Sequence, residues 1–220
     1  MTTPETKRAW AEIVTPEDLD QHLEMIGQAA ANGGLASRML ADFPLADGSS
    51  LFVPGAGTGQ LLDFCDRTLL ASLRVAYSEI NSSFAQSLQA RLKKYGLKGQ
   101  CLLEDLEQAP VSAEFDAILM ILLLEHIDWQ RGLQNLLSAR PSRLFVIIQR
   151  NEEGAKTINT SRQLAPSIKK FSEVAKPRLI AASDLEAWLR DRAYTLIRSY
   201  ESSVPDQKTM VGLVFHSQKS

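Results

Sequence analysis

Five consecutive residues, G-A-G-T-G at positions 55–59, could form a backbone cradle for an anionic ligand. Glycine lacks a Cβ, so it permits a tight turn and lets the main chain lie against a ligand. The apolar residues 51–53 before the turn read as a short strand, and a helix is expected after it. A helix N-terminus offers unpaired N–H groups and a partial positive charge. The spacing therefore predicts a site for a carboxylate or phosphate between a strand and a helix.

Two kinds of cofactor compete for such a turn. A dinucleotide site has G-x-G-x-x-G, whose last glycine allows close helix packing. Here Gln60 stands at that last position, and the glycines form G-x-G-x-G instead. Acidic residues then recur where the next two predicted strands end, with Glu79 after the second strand and Glu104 and Asp105 after the third. This order disfavours a nicotinamide-dependent oxidoreductase.

The glycine spacing and the order of the acidic residues resemble the class I (Rossmann-like) S-adenosylmethionine-dependent methyltransferases. Phe115-Asp116-Ala117-Ile118 resembles that family's entry to the fourth strand. Leu124-Glu125-His126-Ile127 resembles the segment that follows this strand in many of its members that act on small molecules. The resemblance covers about residues 49–150 and, more loosely, residues 183–217. It implies S-adenosyl-L-methionine as the cofactor and a small molecule as the methyl acceptor.

The resemblance also assigns roles to individual residues. Glu79 is expected to accept hydrogen bonds from both ribose hydroxyls, and each charged hydrogen bond contributes about 1.5–3 kcal/mol. Asp105, with Glu104 as the alternative, is expected to accept from the adenine amino group, and Leu106 to meet the ring through its backbone N–H. The full set of predicted cofactor-binding residues is Val53, Pro54, Gly55, Ala56, Gly57, Gly59, Glu79, Ile80, Glu104, Asp105, Leu106 and Leu122.

Two positions leave alternatives open. Val53 stands where the family often has an acidic residue, so the methionine amino group is expected to meet backbone carbonyls near Gly55 or Leu122. His126 follows the fourth predicted strand, where the transferred methyl group should project. It is a candidate general base because the pKa of histidine is near working pH, and equally a packed histidine that shapes the pocket.

Composition and charge exclude several classes of function. The net charge of −2 and the sequence pI of about 6.0 give no overall positive field for a polyanion, so nucleic acid is not an expected partner. Cys65 and Cys101 fit neither a disulfide framework nor a zinc site, and no metal is expected. The longest apolar run, residues 117–124, is too short to cross a bilayer, and the N-terminus lacks a signal-peptide core. We expect a cytoplasmic protein, whose oligomeric state the sequence leaves open.

The elements that must position these residues alternate between strand and helix from about residue 50, which predicts parallel β-α-β units. The expected fold is α/β: a doubly wound, mostly parallel seven-stranded sheet with an antiparallel C-terminal strand and helices on both faces. A helical cap is predicted over residues 1–48. A Rossmann-like methyltransferase domain is predicted over residues 49–220, with a helical insertion at about 151–182.

Capping and turn residues predict where individual helices begin and end. Thr15 should cap a helix that ends at Gly33-Gly34, with a second helix at residues 35–43. Asn81 and Asp128 should cap two later helices, and Ser183 should open a capping box for the last one. Further predictions are a helix at residues 59–70, a fourth strand at 115–123, and an antiparallel pair of strands at 195–202 and 209–217.

A second class of function stays open beside the enzyme. A protein of this fold could bind the cofactor without catalysis, or serve as a partner subunit. The sulfonium of S-adenosylmethionine already activates its methyl group, so an enzyme of this class needs chiefly to align the acceptor and exclude water. No N/D-P-P-Y tetrapeptide follows the fourth predicted strand, which disfavours methylation of nucleobase or glutamine amides. No Pro-Cys pair follows it either, which disfavours methylation of cytosine C5 through a thiolate.

Overall fold

The computed structural model describes residues 4–151, 164–175, 178–205 and 208–218. Seven strands form one sheet in the order β3-β2-β1-β4-β5-β7-β6. Their bounds are β1 Ser50–Val53, β2 Arg74–Glu79, β3 Gly99–Leu103, β4 Ala117–Ile121, β5 Arg143–Arg150, β6 Tyr194–Val204 and β7 Lys208–Ser217. The first five strands pair in parallel, and β7 runs antiparallel to both β5 and β6. This is the predicted doubly wound fold with its antiparallel C-terminal strand.

Helices cover both faces of the sheet. Their bounds are α1 Pro4–Glu12, α2 Pro16–Met25, α3 Gln28–Asp42, α4 Leu61–Phe64, α5 Thr68–Ala71, α6 Ser82–Lys94, α7 Trp129–Leu137, α8 Pro166–Val174 and α9 Ala182–Arg190, with a 3-10 helix at Leu124–His126. Alternate residues of β5 enter different cores: Phe145 packs with α3 to α6, and Val146 packs with α7 and α9 on the other face. None of the described helices is both long and apolar enough to span a membrane.

Three predicted helix caps are confirmed. The hydroxyl of Thr15 accepts a hydrogen bond from the backbone N–H of Asp18 at the start of α2. Asn81 Oδ1 accepts from the N–H of Ser83 at the start of α6, and Asp128 accepts from the first turn of α7 in the same way. In each case a short polar side chain satisfies a donor that the helix itself leaves unpaired.

The prediction that Gly33-Gly34 ends a helix is wrong. The helical conformation is interrupted earlier, at Gly27, which has φ of 72°. Helix α3 then continues through both Gly33 and Gly34. A Cβ on Gly33 would lie 2.5 Å from the Cβ of Phe64 and 2.6 Å from its backbone carbon. Gly33 is therefore a site of close helix packing against α4 rather than a stop signal.

Other boundaries differ for local reasons. The single helix predicted at residues 59–70 is two short helices, α4 and α5, because Cys65 between them is extended. Strand β4 is shorter than predicted, since Leu122 takes a left-handed conformation with φ of 50° directly after it. Ala181 precedes α9, so Ser183 lies inside the helix and does not cap it. Of the predicted insertion at 151–182, residues 152–163, 176 and 177 lie outside the described residues.

The two adjacent glycines of α3 provide a matched test of this packing. Gly34→Ala should raise the free energy of unfolding by about 0.5–1 kcal/mol, because no atom lies within 4 Å of the added Cβ and alanine is the better helix former. Gly33→Ala should lower it by about 1–3 kcal/mol, because the methyl group would overlap Phe64. Urea unfolding of both variants checks this. Equal effects would mean that α3 and α4 are not in this close contact.

Candidate functional site

One cavity of about 600 Å³ opens at the carboxyl edge of the parallel strands. It lies where the strand order reverses between β1 and β4, the position at which open α/β sheets bind their ligands. The structure brings every predicted site residue to its wall: Val53, Pro54, Gly55, Ala56, Gly57, Gly59, Glu79, Ile80, Glu104, Asp105, Leu106, Leu122 and His126. Residues of α1, α2, α3 and α8 close the opposite side.

The geometry of the turn at residues 55–59 requires residues without a Cβ atom. Gly55, Gly57 and Gly59 all have positive φ, at 58°, 59° and 77°. A Cβ on Gly59 would lie 2.5 Å from Leu88 of α6, so this glycine lets the turn pack against that helix. A Cβ on Gly57 would meet nothing within 4 Å, since its open face is toward the cavity. The turn thus presents bare backbone to the place where a ligand would lie.

Glu79 joins the glycine turn to the end of β2. Its side chain is buried, at 7% exposure, and Oε2 accepts a hydrogen bond from the N–H of Gly57 at 2.8 Å. Oε1 accepts from the N–H groups of Ile80 and Asn81 at 2.7 and 3.1 Å. Burial raises the pKa of Glu79, and the three N–H donors oppose that rise. A carboxylate has about four lone-pair sites, so capacity remains for further donors from a ligand.

The carboxylate of Asp105 has a protein partner. Its Oδ2 lies 2.8 Å from Nζ of Lys7, which also lies 2.8 Å from Oε2 of Glu107. Burial alone would raise the pKa of Asp105, but the hydrogen bond from Lys7 and neighbouring donors hold it below its usual value. Helix α1 is thereby tied across the end of the cavity where the adenine was predicted. Glu104 and Leu106 line the same end.

Helix α2 is tied to the glycine turn through Asp20. Its Oδ1 accepts from the hydroxyl of Thr58 at 2.5 Å, and its other oxygen pairs with Arg91 of α6. The backbone carbonyl of Asp20 accepts from Nε2 of Gln60 at 2.9 Å. Gln60, which replaces the last glycine of a dinucleotide motif, therefore has a definite role in holding α2 against the turn.

His126 lines the cavity among aromatic side chains. Its ring meets Trp10 edge-on, with centroids 4.8 Å apart, and the centroid of Phe171 lies 6.4 Å away. Burial lowers the pKa of His126 to about 4, and within the described chain its Nδ1 has no hydrogen-bond partner. The imidazole is therefore neutral at pH 7, and its surroundings oppose the imidazolium that general-base catalysis would form. Its predicted catalytic role stays a prediction.

The preceding residue, Glu125, is buried beneath the cavity wall. Its Oε1 accepts from the backbone N–H of Gln149 at 2.8 Å, while Oε2 has no partner in the parts of the chain that the structure describes. Burial raises the pKa of Glu125 to about 7, although the backbone hydrogen bonds oppose the rise. Glu125 is thus a structural carboxyl group whose protonation is coupled to the end of β5.

Several cavity residues were missed by the sequence analysis. They are polar side chains from elements far apart in the chain, so no local motif marks them: Lys7, Asn32, Gln149 and Lys208. His22 and Gln28 also line the cavity. Among the residues whose positions are described, no cluster of three or more His, Cys, Asp or Glu side chains is arranged to hold a metal ion.

Comparison with known proteins agrees with this geometry. Residues 52–139, which run from β1 to just beyond α7, match the family model described as a methyltransferase domain. No curated protein matches the chain. Solved structures match at low sequence identity, which is informative about the fold alone.

Three of these solved structures serve as examples. Magnesium protoporphyrin IX methyltransferase from Synechocystis PCC 6803, with bound SAH, has a TM-score of 0.67 and 16% identity over 97% of this chain and 93% of its own. The 1,6-didemethyltoxoflavin-N1-methyltransferase of Burkholderia thailandensis has a TM-score of 0.64 and 14% identity, covering 87% and 80%. A protein from Rhodobacter sphaeroides described as a putative zinc-dependent alcohol dehydrogenase has a TM-score of 0.69 and 16% identity, covering 98% and 100%.

A Rossmann-like sheet with a G-x-G-x-G crevice at its switch point defines the class of protein. Residues 52–139 of this sheet match the methyltransferase-domain model, in agreement with the resemblance to class I S-adenosylmethionine-dependent methyltransferases that the motif order predicted. The cofactor that such domains use is S-adenosyl-L-methionine, and structures with this fold contain it or S-adenosylhomocysteine.

Glu125 should make the free energy of unfolding of the protein depend measurably on pH. Its folded-state pKa of about 7 lies above the usual 4.5, so the folded state binds the proton more tightly than the unfolded state. Between about pH 4.5 and 7, wild type should therefore lose about 3 kcal/mol of unfolding free energy relative to Glu125→Gln. Urea titrations across that range measure the difference. The exposed Glu114→Gln is the control, and parallel curves for wild type and Glu125→Gln would contradict the assignment.

Proposed function

We propose that this protein binds S-adenosyl-L-methionine in the described crevice and transfers its methyl group to a small-molecule acceptor in the adjoining part of the same cavity. One observation carries the proposal: the open backbone of the turn at 55–59 and the buried carboxylate of Glu79 line one cavity and are joined by a hydrogen bond. A ligand with an amino acid at one end and a ribose toward the other matches these two features.

The residues present fit that cofactor. Gly57 leaves space that a Cβ would fill, and the ribose hydroxyls can donate hydrogen bonds to the remaining acceptor sites of Glu79. Leu106 and Glu104 border the place for the adenine, while Asp105 reaches it as an ion pair with Lys7. Because Asp105 is already paired, Glu104 gains weight as the acceptor for the adenine amino group.

When bound, S-adenosyl-L-methionine supplies a methyl group that its sulfonium has already activated. The chain then has to hold the acceptor in line and keep water out, and such positioning can contribute about 7–11 kcal/mol to lowering the barrier. Trp10, Phe171 and Leu123 provide apolar walls for this purpose. His126 contacts the acceptor as a neutral imidazole, and it takes up a proton only from a nucleophile that is itself acidic enough.

We also propose that the segment at residues 1–48 acts as a cap on the catalytic domain at 49–220. Its support is the set of contacts from α1 to Asp105 and from α2 to the turn at 55–59. The cap makes the cavity a pocket for a small molecule, rather than an open groove for a polymer such as a nucleic acid. The cytoplasm is the proposed location, from the two unpaired cysteines.

Binding and turnover are separate measurements. Calorimetric titration with S-adenosylmethionine and S-adenosylhomocysteine should show binding of both, and NADH should not bind. Formation of S-adenosylhomocysteine in the presence of a panel of small acceptors then tests transfer. Binding without turnover of any acceptor would favour a noncatalytic cofactor-binding protein, and NADH binding alone would overturn the cofactor.

Removing the carboxylate of Glu79 should weaken cofactor binding and leave the fold intact. Glu79→Ala should raise the dissociation constant for S-adenosylhomocysteine at least tenfold, which corresponds to about 1.4 kcal/mol. Glu79→Gln keeps one acceptor oxygen and should lie between this variant and wild type. The exposed Glu114→Ala serves as the control. An unchanged constant in Glu79→Ala would show that the ribose does not lie at this residue.

The role of the turn at residues 55–59 in cofactor binding can be tested by comparing Gly57, which lies in the turn, with Gly96, which lies outside it. Gly57 and Gly96 both have positive φ, at 59° and 65°, and an added Cβ meets nothing within 4 Å at either. Changing each to alanine should lower the free energy of unfolding similarly, by about 1–2 kcal/mol. Only Gly57→Ala should weaken S-adenosylhomocysteine binding, by tenfold or more, because only its methyl group enters the crevice. Equal affinities in both variants would exclude the turn from the cofactor site.

A further inference from the structure

Two amide side chains in the cavity wall have oxygens without hydrogen-bond partners. Asn32 of α3 and Gln60, the residue before α4, are each 6% exposed, and both line the cavity. Within the described ranges, Oδ1 of Asn32 and Oε1 of Gln60 accept no hydrogen bond. Such buried atoms are rare in folded proteins, because they have lost their water without gaining a partner. Both oxygens are acceptors, so a ligand that completes them has to donate hydrogen bonds.

The orientation of the Gln60 amide follows from its contacts with α2. Its Nε2 donates to the backbone carbonyl of Asp20 at 2.9 Å and to Oε1 of Glu24 at 3.3 Å. The amide could not be reversed without bringing its own oxygen against these two acceptors. These hydrogen bonds also polarise the amide, which makes Oε1 a stronger acceptor. Oε1 is therefore the atom of this side chain that remains for a ligand.

The order of the strands indicates which part of the cofactor reaches these oxygens. Glu79, the predicted ribose site, ends β2, and the predicted adenine site follows β3; together they form the adenosine end of the cavity. In the sheet order β3-β2-β1-β4-β5, the methionine end of the cavity is then on the opposite side of Glu79, over β1 and β4. Helix α3 packs against β5, β7 and α4 on that side, and Gln60 directly follows the turn at residues 55–59. Asn32 and Gln60 thus belong to the methionine end.

The methionine end needs acceptors that β1 does not provide. The amino group of the methionine moiety is an ammonium at neutral pH, with three N–H donors, whereas its carboxylate suits the N–H groups of the turn. Val53, the last residue of β1, is apolar and offers the ammonium no carboxylate. An anionic group beside Asn32 and Gln60 would leave both oxygens unpaired, because it has no hydrogen to donate. The ammonium is the group of the cofactor that matches them.

We propose that Asn32 and Gln60 bind the ammonium group of the methionine moiety of S-adenosyl-L-methionine through their unpaired oxygens. This rests on the proposed function, since that cofactor is the ligand. It gives α3 a direct part in cofactor binding, in addition to the enclosure of the cavity by the cap. It also makes the amino group a determinant of affinity, because a ligand without it leaves two buried acceptors unpaired.

Three ligands that differ at the methionine end test the proposal on the full chain. They are S-adenosylhomocysteine, its desamino analogue with hydrogen in place of the amino group, and 5′-methylthioadenosine, which lacks both the amino and the carboxylate group. Calorimetric titration gives the dissociation constant of each. Wild type should bind S-adenosylhomocysteine about tenfold or more tightly than the desamino analogue. Equal constants for these two would overturn the proposal.

Variants of Asn32 then assign the contact. Asn32→Leu should weaken S-adenosylhomocysteine binding about tenfold or more and leave the constants for the other two ligands within about twofold of wild type. Asn32→Asp keeps an acceptor and should bind S-adenosylhomocysteine within about threefold of wild type. Gln89→Leu, on the exposed face of α6, is the control. Equal weakening of all three ligands by Asn32→Leu, or weakening of none, would contradict the contact.

The ligand-free protein gives a second readout. Leucine has nearly the size of asparagine and no polar atom, so Asn32→Leu should keep or raise the melting temperature if Oδ1 is unpaired until a ligand binds. A lower melting temperature, with the preference for S-adenosylhomocysteine over its desamino analogue retained, would mean that Asn32 is structural and would overturn the proposal.

Gln60→Met is an independent variant that also serves if Asn32→Leu does not fold. It removes the contact with Asp20 as well, so 5′-methylthioadenosine is its internal reference. The preference for S-adenosylhomocysteine over 5′-methylthioadenosine should fall about tenfold in Gln60→Met. An unchanged preference would exclude Gln60 from the ammonium site and overturn the proposal as stated.

The proposed function and the ammonium contact fail in different ways. If none of the three ligands binds to wild type, the cofactor assignment is wrong and the contact is wrong with it. If S-adenosylhomocysteine and 5′-methylthioadenosine bind, and neither the amino group nor the oxygen of Asn32 affects affinity, the cofactor assignment stands and the ammonium contact alone is wrong.

Discussion

The site depends on the hydrogen bonds that the buried carboxylate of Glu79 accepts from the main chain. The carboxylate accepts them from Gly57 on one side and from Ile80 and Asn81 on the other, so the turn after β1 and the turn after β2 are held at one distance. Burying a carboxylate is costly unless donors compensate it, and these N–H groups do so before any ligand arrives. The crevice is therefore formed in advance, and binding needs little rearrangement of the backbone.

The N-terminal helices extend this arrangement across the cavity. Asp20 bonds to Thr58 within the glycine turn and pairs with Arg91, while Lys7 pairs with Asp105 and Glu107 at the other end. Lys7, Asp105, Asp20 and Arg91 remain partly exposed, so the ion pairs between them contribute modestly to stability. Their effect is chiefly geometric. They hold α1 and α2 over the crevice, and thereby convert an open switch point into an enclosed pocket with an apolar wall.

Much of the fold could be predicted because it depends on local signals. The caps at Thr15, Asn81 and Asp128 and the G-x-G-x-G turn are short motifs whose geometry involves neighbouring residues only. Gly33 could not be interpreted in this way, because its role comes from Phe64, which contacts it across two packed helices. A glycine that avoids a clash and a glycine that ends a helix look alike in the sequence.

The same distinction separates the two ends of the cavity. The proposed adenosine end is built from strand ends, whose order follows from the chain, so the sequence could predict that Glu79 and the residues near Asp105 lie close together there. The far end is lined by Asn32, Gln149 and Lys208, which share one cavity because β7 lies beside β5 and α3 packs against both strands. No spacing in the sequence encodes that meeting.

Charge within the cavity also bears on the chemistry. His126 is neutral at pH 7 because burial lowers its pKa to about 4, and Glu125 next to it is near its own midpoint because burial raises its pKa to about 7. Both shifts come from the same exclusion of water, acting on groups of opposite charge type. A cationic sulfonium nearby would lower the pKa of His126 further. Under the proposed function, this neutral imidazole favours an acceptor whose nucleophile is already deprotonated or only weakly basic, so that alignment rather than proton removal would be the main task of the site.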